Sequence, residues 1–184
     1  MALTGNLVAP KWKDFVSSTV FRGAVASEWH QHLNPDGSVG GWVQNTAIVA
    51  PTGFVGPRAV VFGTAKVLDH ARLLDEAWIF GNATARGRTC IRDGARVFGQ
   101  ADCSGLTAIF HRAKIFGQAR IYGQAEVYGD SQVFDNARIG GKTQVCGKAS
   151  VFGDVKLEAD IMVSRSLCFQ PKQGKWRARL ISRD

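Results

Sequence analysis

From Gly41 onward the chain divides into six-residue units with no insertion or deletion. They begin GWVQNT, AIVAPT, GFVGPR, AVVFGT, AKVLDH and ARLLDE and close with ASVFGD, VKLEAD, IMVSRS and LCFQPK, 22 units ending at Lys172. The first position is Ala, Gly, Ser or Thr in the first 19 units, the third is apolar in all 22, and the fifth is Gly, Asp or Asn in 16. An internal period outranks local propensity as a guide to fold, and each position here has a physical reading. Positions one and three lie two apart, so on an extended strand they share one side while two and four take the other. A β-branched third residue suits a strand, and a small first residue lets backbone approach a crowded interior. Gly, Asp or Asn at the fifth supplies a corner where φ turns positive.

Short strands joined by corners too tight for hairpins must wind as a coil, and the fourth position sets the number of strands per turn. Every third unit carries Phe there: Phe62, Phe80, Phe98, Phe116, Phe134 and Phe152. The other two series, Leu68, Arg86, Ser104, Tyr122, Gly140 and Leu74, Arg92, Phe110, Tyr128, Cys146, show no such regularity. Six Phe at a spacing of 18 predict one stacked column on a triangular coil of three units per turn. The expected fold is all-β, a single-stranded parallel β-helix of about seven coils, on the order of 34 Å long at roughly 4.8 Å per coil.

Three segments follow: an N-terminal cap over 1–40, the repeat over 41–172, and a basic arm or capping strand over 173–184. A solenoid must close its open ends. Val155, Ile161 and Leu167 replace the small first residue, one per face, and are expected to plug the last coil. Pro171 to Gly174 reads as a turn followed by alternation through Trp176, Ala178 and Leu180. The 184 residues carry a net charge of +8 and a pI near 9.7, which favours acidic partners without choosing among them. No apolar run approaches the roughly 18 residues of a membrane span, and the N-terminus lacks the order of a signal peptide. Cys90, Cys103, Cys146 and Cys168 have no CxxC spacing, so they read as reduced thiols of a cytoplasmic protein, in the host cytoplasm if the chain is phage-encoded. No metal site and no cofactor are expected.

The Ala-x-Val-aromatic-Gly-x wording, led in by "GSVGGWV", resembles the hexapeptide-repeat, left-handed parallel β-helix family, and within it a subgroup of bacterial and phage proteins described as predicted acyltransferases. The likeness covers 41–172 and hardly touches the first 40 residues. It implies a left-handed coil, where parallel crossovers in general prefer the right hand. It also implies three functional possibilities: trimeric acyltransferases using an acyl-CoA donor with a His base between subunits, carbonic anhydrases with three His on a metal, or proteins that only bind and assemble. The enzymes carry their catalytic parts on loops extruded from the coils, and this chain has none.

Candidate site residues fall into three groups. His70 and His111 sit at corners of different edges about two coils apart, with no local partner for a general base; solvated or capping roles are the plainer reading. His30 and His32 in "EWHQH" share a strand face, but two ligands make a poor metal site. The Phe62–Phe152 column faces outward as an interface or as a ladder covered by the chain's own ends, leaving on the order of 500 Å² of apolar surface if open. Arg86, Arg88, Arg92 and Arg96, within eleven residues, form a solvated surface or an anion site. Lys172, Lys175, Arg177, Arg179 and Arg183 make a second basic patch.

The leading expectation is a non-catalytic scaffold or protein-interaction module that associates through the Phe column, with a homodimer favoured over a trimer and a foreign protein as the other partner. The first alternative is an acyltransferase-like enzyme with a site between subunits. The second is a basic binder of an anionic ligand or nucleic acid, acting on a host component if phage-encoded. Ice binding is disfavoured because no face carries regular Thr pairs.

Overall fold

The computed structural model describes residues 21 and 23–164 in full, and residues 166–172 and 175–181 by their backbone. The repeat forms a triangular parallel β-solenoid of about seven turns. Two-residue strands take positions two and three of most units and, with longer strands at the two ends, assemble into one ten-stranded and two seven-stranded sheets. Pairing is in register at 18 residues throughout the coil: Val61 opposes Ile79, Val97 opposes Ile115, and Ile121 opposes Ile139. The sheet carrying the Phe column is called the Phe face. The sheets passing through Arg120–Ile121 and Glu126–Val127 are called the Tyr122 and Tyr128 faces.

The interior is the prediction made solid. Third-position residues such as Leu73, Ile79, Ile115 and Ile139, and first-position alanines such as Ala77, Ala101 and Ala119, are buried. Each large member contributes about 1.5–3 kcal/mol on removal from water. The polar first positions keep their hydroxyls satisfied: Thr89 donates to the Arg86 carbonyl at 2.8 Å, and Thr143 to the Ala159 carbonyl at 2.8 Å. Corners follow the fifth position, with left-handed φ at glycines from Gly63 to Gly153. From Gly63 to Gly153 the corners that are not Gly are Asp69, Asp75, Asp93, His111 and Asp135, with φ between 54° and 59°, whereas Asn45, Pro51, Pro57 and Ala159 at the two ends turn without a left-handed φ. The aspartates offset that strain by tying one coil to the next: Asp69 accepts from the Gly87 N–H at 2.9 Å, and Asp93 from the His111 N–H at 2.9 Å.

At the N-terminal end an antiparallel pair, Trp29–Leu33 against Val39–Gln44, extends the Phe-face sheet, and its second strand runs straight into the first coil. Asn34 leaves this hairpin and is 3% exposed. Its side-chain oxygen accepts from the Val55 N–H at 2.8 Å and its amide donates to the Val55 carbonyl at 3.1 Å, so one side chain stands in for the missing strand at a sheet edge. Replacing Asn34 by Leu leaves both groups of Val55 orphaned and is expected to cost about 2–4 kcal/mol in urea unfolding. Asn34→Asp, which can accept but not donate, should fall between; a wild-type midpoint for both variants would contradict this role.

The other end departs from the six-residue frame. Val151 opposes Leu167, 16 residues on rather than 18, so the twenty-second unit does not continue the pattern and Phe169 lies opposite Gly153. The expected hairpin is present, Ser166–Lys172 pairing antiparallel with Lys175–Ile181, but Lys172 faces Lys175, so the connection is tighter than Pro171 to Gly174. Of the three expected plugs, Val155 is buried, whereas Ile161 is 40% exposed and does not fill the coil, because Met162–Val163 is the edge strand of its sheet and no further rung pairs with it. The side chain of Leu167, and those of the basic tail, lie outside the described residues.

Candidate functional site

On the Phe face each ring follows directly from a buried residue: Val61, Ile79, Val97, Ile115, Val133 and Val151 point inward, so Phe62, Phe80, Phe98, Phe116, Phe134 and Phe152 point outward. The six rings form one continuous stack. Successive centroids are 4.6, 4.8, 5.0, 4.8 and 4.9 Å apart and successive planes differ by 2° to 6°. Such contacts contribute about 0.5–1.5 kcal/mol each beyond area burial. Because ring faces cover one another, every Phe is half-buried, and the column presents a strip of ring edges.

The two ends of this face differ. At the N-terminal end Phe21, 7% exposed, sits edge-on to Phe62 at 5.5 Å and to Trp29 at 5.5 Å, and lies 5.3 Å from Trp78. The first rung is thus covered by the chain itself, in an aromatic cluster with Val60 and Trp42. Beyond it the column is flanked at the second position by Arg96, Lys114, Gln132 and Ser150. An apolar strip with a polar margin is the usual anatomy of an interface.

The arginines that crowd together in sequence are dispersed in space. Arg86 lies on the Tyr122 face and is bidentate on Asp102, at 3.2 Å from Nε and 2.8 Å from Nη2, which raises its already high pKa. Arg92 lies on the Tyr128 face, 4.3 Å over the Phe110 ring and 3.4 Å from Asp93. Arg96 lies on the Phe face, 4.6 Å over Trp78, and Arg88 is exposed at a corner. Three of the four therefore spend their charge on side chains of the same or the adjoining coil, each on a different face.

The histidines are equally separate. His70 and His111 are exposed at corners of different edges, and neither ring has a hydrogen-bond partner among the described residues. His111 packs edge-on to Phe110 at 4.9 Å beside a hollow of about 430 Å³ lined by Asp93, Arg112 and Asp130, where Arg112 and Asp130 pair at 2.7 Å. In the N-terminal hairpin His30 Nδ1 lies 2.8 Å from Asn45 Oδ1, and His32 Nε2 lies 3.4 Å from the Gly53 carbonyl. Burial holds the His32 imidazole below its ordinary range. No group of three or more His, Cys, Asp or Glu among the described residues could hold a metal. Burial likewise pushes the thiols of Cys90 and Cys103 up, away from the reactive thiolate.

Two arrangements escaped the sequence reading. The Tyr128 face has a short stack of its own, Phe110 on Tyr128 at 4.9 Å and 8°, continued by Arg92. On the Tyr122 face, the Tyr122 ring crosses Gly140, where a Cβ would lie 2.3 Å from Cε2, and its hydroxyl bonds to Glu158, itself 2.7 Å from Lys156. Desolvation, and secondarily that carboxylate, push the phenol up to about 12. The series at steps of 18 ended at Gly140; carried one step further, to Glu158, it would have flagged Gly140 between two larger neighbours. No helix among the described residues is long and apolar enough to cross a membrane. Neither a scan against protein-family models nor a search of curated proteins gives a match to this chain.

Proposed function

We propose that this chain is a non-catalytic β-solenoid scaffold that pairs with a second copy of itself through the Phe face, from Phe80 to Phe152. The observation behind this reading is the unbroken stack of half-buried rings, flat to within a few degrees and flanked by polar residues. A straight strip of this kind is self-complementary under a two-fold axis, the commonest symmetry of homo-oligomers. The resemblance of the repeat to hexapeptide-repeat proteins suits an assembling member of that family. The separation of His70 from His111, neither ring hydrogen-bonded among the described residues, supports the scaffold over the acyltransferase.

Light scattering on the wild type and on Phe98→Ser/Phe116→Ser tests the reading. The expected result is a dimer that becomes a monomer, with the far-ultraviolet β signature retained. A wild-type trimer that binds acyl-CoA would replace the scaffold with the inter-subunit enzyme. A monomer would overturn self-pairing. In that case Phe21, already seated on the first rung, makes the N-terminal segment the next occupant to examine, by deleting residues 1–20 and repeating the mass measurement.

A further inference from the structure

A different part of the surface gathers cations that the run of arginines in sequence did not indicate. On the Tyr122 face, Arg120 opposes Arg138 and Arg138 opposes Lys156 in register, so three cations stand on consecutive rungs. Like charges directly opposite each other across a ladder are destabilising. At the equivalent position neither other face places cations on three consecutive rungs: the Phe face reads Trp78, Arg96, Lys114, Gln132, and the Tyr128 face reads Arg72, Cys90, Ala108, Glu126.

Two neighbouring carboxylates are already committed. Asp102, on the rung before Arg120, is held by both nitrogens of Arg86. Glu158 is taken by Lys156 and by the Tyr122 hydroxyl. Among the described residues Arg120 and Arg138 have no ion pair, and both are exposed. They open onto a groove of about 420 Å³ whose other walls are Gln118, Asn136, Asp154 and Lys156. The Gln118 amide has no hydrogen-bond partner among the described residues, while Asn136 donates to Asp154 at 2.9 Å.

We infer that this groove binds the phosphate or sulfate group of a compact ligand, with the Arg120 and Arg138 guanidiniums bracketing one tetrahedral oxyanion. Two planar forks one rung apart, about 4.8 Å, offer the paired N–H groups that such an anion accepts best. Lys156, paired with Glu158, lines the groove on the third rung, and Gln118 adds a neutral donor from the corner. Asp154 sets the size limit: an extended polyanion laid along the corner would run into its carboxylate, so the site suits one anionic group and disfavours a nucleic-acid strand.

The test uses the full chain and isothermal titration with inorganic pyrophosphate, at ionic strength matched with chloride. Saturable binding by the wild type is expected, weakened at least about tenfold in Arg120→Gln/Arg138→Gln. Arg58→Gln, an exposed cation paired with Glu76 near the other end of the coil, should bind as the wild type does. Without ligand the double variant should melt no lower than the wild type, because two opposed charges have been removed; this separates lost binding from lost fold. Sulfate that displaces pyrophosphate admits a sulfated ligand, and sulfate that does not restricts the site to phosphate. No saturable binding by the wild type, equal binding by the double variant, or binding confined to oligonucleotides would each overturn the inference. Arg120 and Arg138 project from a different face from the Phe column, while Gln118, Asn136 and Asp154 stand at the corner between the two faces.

Discussion

Gly41→Ala is expected to abolish the folded first coil, at a cost of about 4 kcal/mol or more. A Cβ at that position would lie 1.9 Å from the Ala59 carbonyl oxygen, 2.6 Å from that of Gly56 and 2.9 Å from the Ala59 carbonyl carbon. All three are backbone atoms of the coil beneath, held by their own hydrogen bonds, so nothing flexible can yield. Gly40 is nearly as tight, 2.4 Å from the Val55 carbonyl oxygen, which explains why the lead-in to the repeat reads Gly-Gly. The control is Gly94→Ala, whose Cβ would meet the His111 carbonyl oxygen at an ordinary 3.5 Å. It should be neutral or stabilise by about 0.4–1 kcal/mol through the unfolded chain. Thermal melts of the two variants side by side are the measurement, and similar Tm values would mean that the first coil does not pack on Ala59 as described.

The second large effect is expected at the centre. Ile115 is fully buried and stacked between Val97 and Val133 on neighbouring rungs. Ile115→Ala should cost about 2–5 kcal/mol, the range for a large core aliphatic that leaves a cavity. In a stack where each coil touches only its neighbours, such a defect also weakens the coupling between the two halves. The urea transition should therefore broaden as well as move. Met162→Ala, at a position 65% exposed, should shift the midpoint by no more than about 0.5 kcal/mol. A sharp, unmoved transition for Ile115→Ala would remove Ile115 from the core.

Much of the architecture was legible because one residue type per position fixed the phase: third-position aliphatics, first-position alanines and the Phe series leave a single winding. The last turn was not legible for an equally physical reason. A slip of two residues keeps every side chain on the same side of a strand, so Leu167 and Phe169 satisfy the apolar pattern equally, and hydrogen bonding decides for Leu167. Asn34 was hidden because "NPDG" reads as a turn on its own, while its partner Val55 lies 21 residues on. The arginine run misled for a related reason. Residues six apart on this coil occupy different faces, so Arg86, Arg92 and Arg96 disperse, whereas Arg120 and Arg138, 18 apart, become neighbours.

The in-register coil has a reading frame of its own. Adding or removing six residues preserves every local preference for strand and corner, yet it rotates all that follows by a third of a turn. Made between Phe98 and Phe116, such a change would carry Phe116, Phe134 and Phe152 onto another side of the prism and cut the aromatic strip in two. A change of 18 does neither; it lengthens or shortens the strip by one ring, about 4.8 Å. Length in this molecule is therefore quantised, and the ladder is a ruler graduated in single rings.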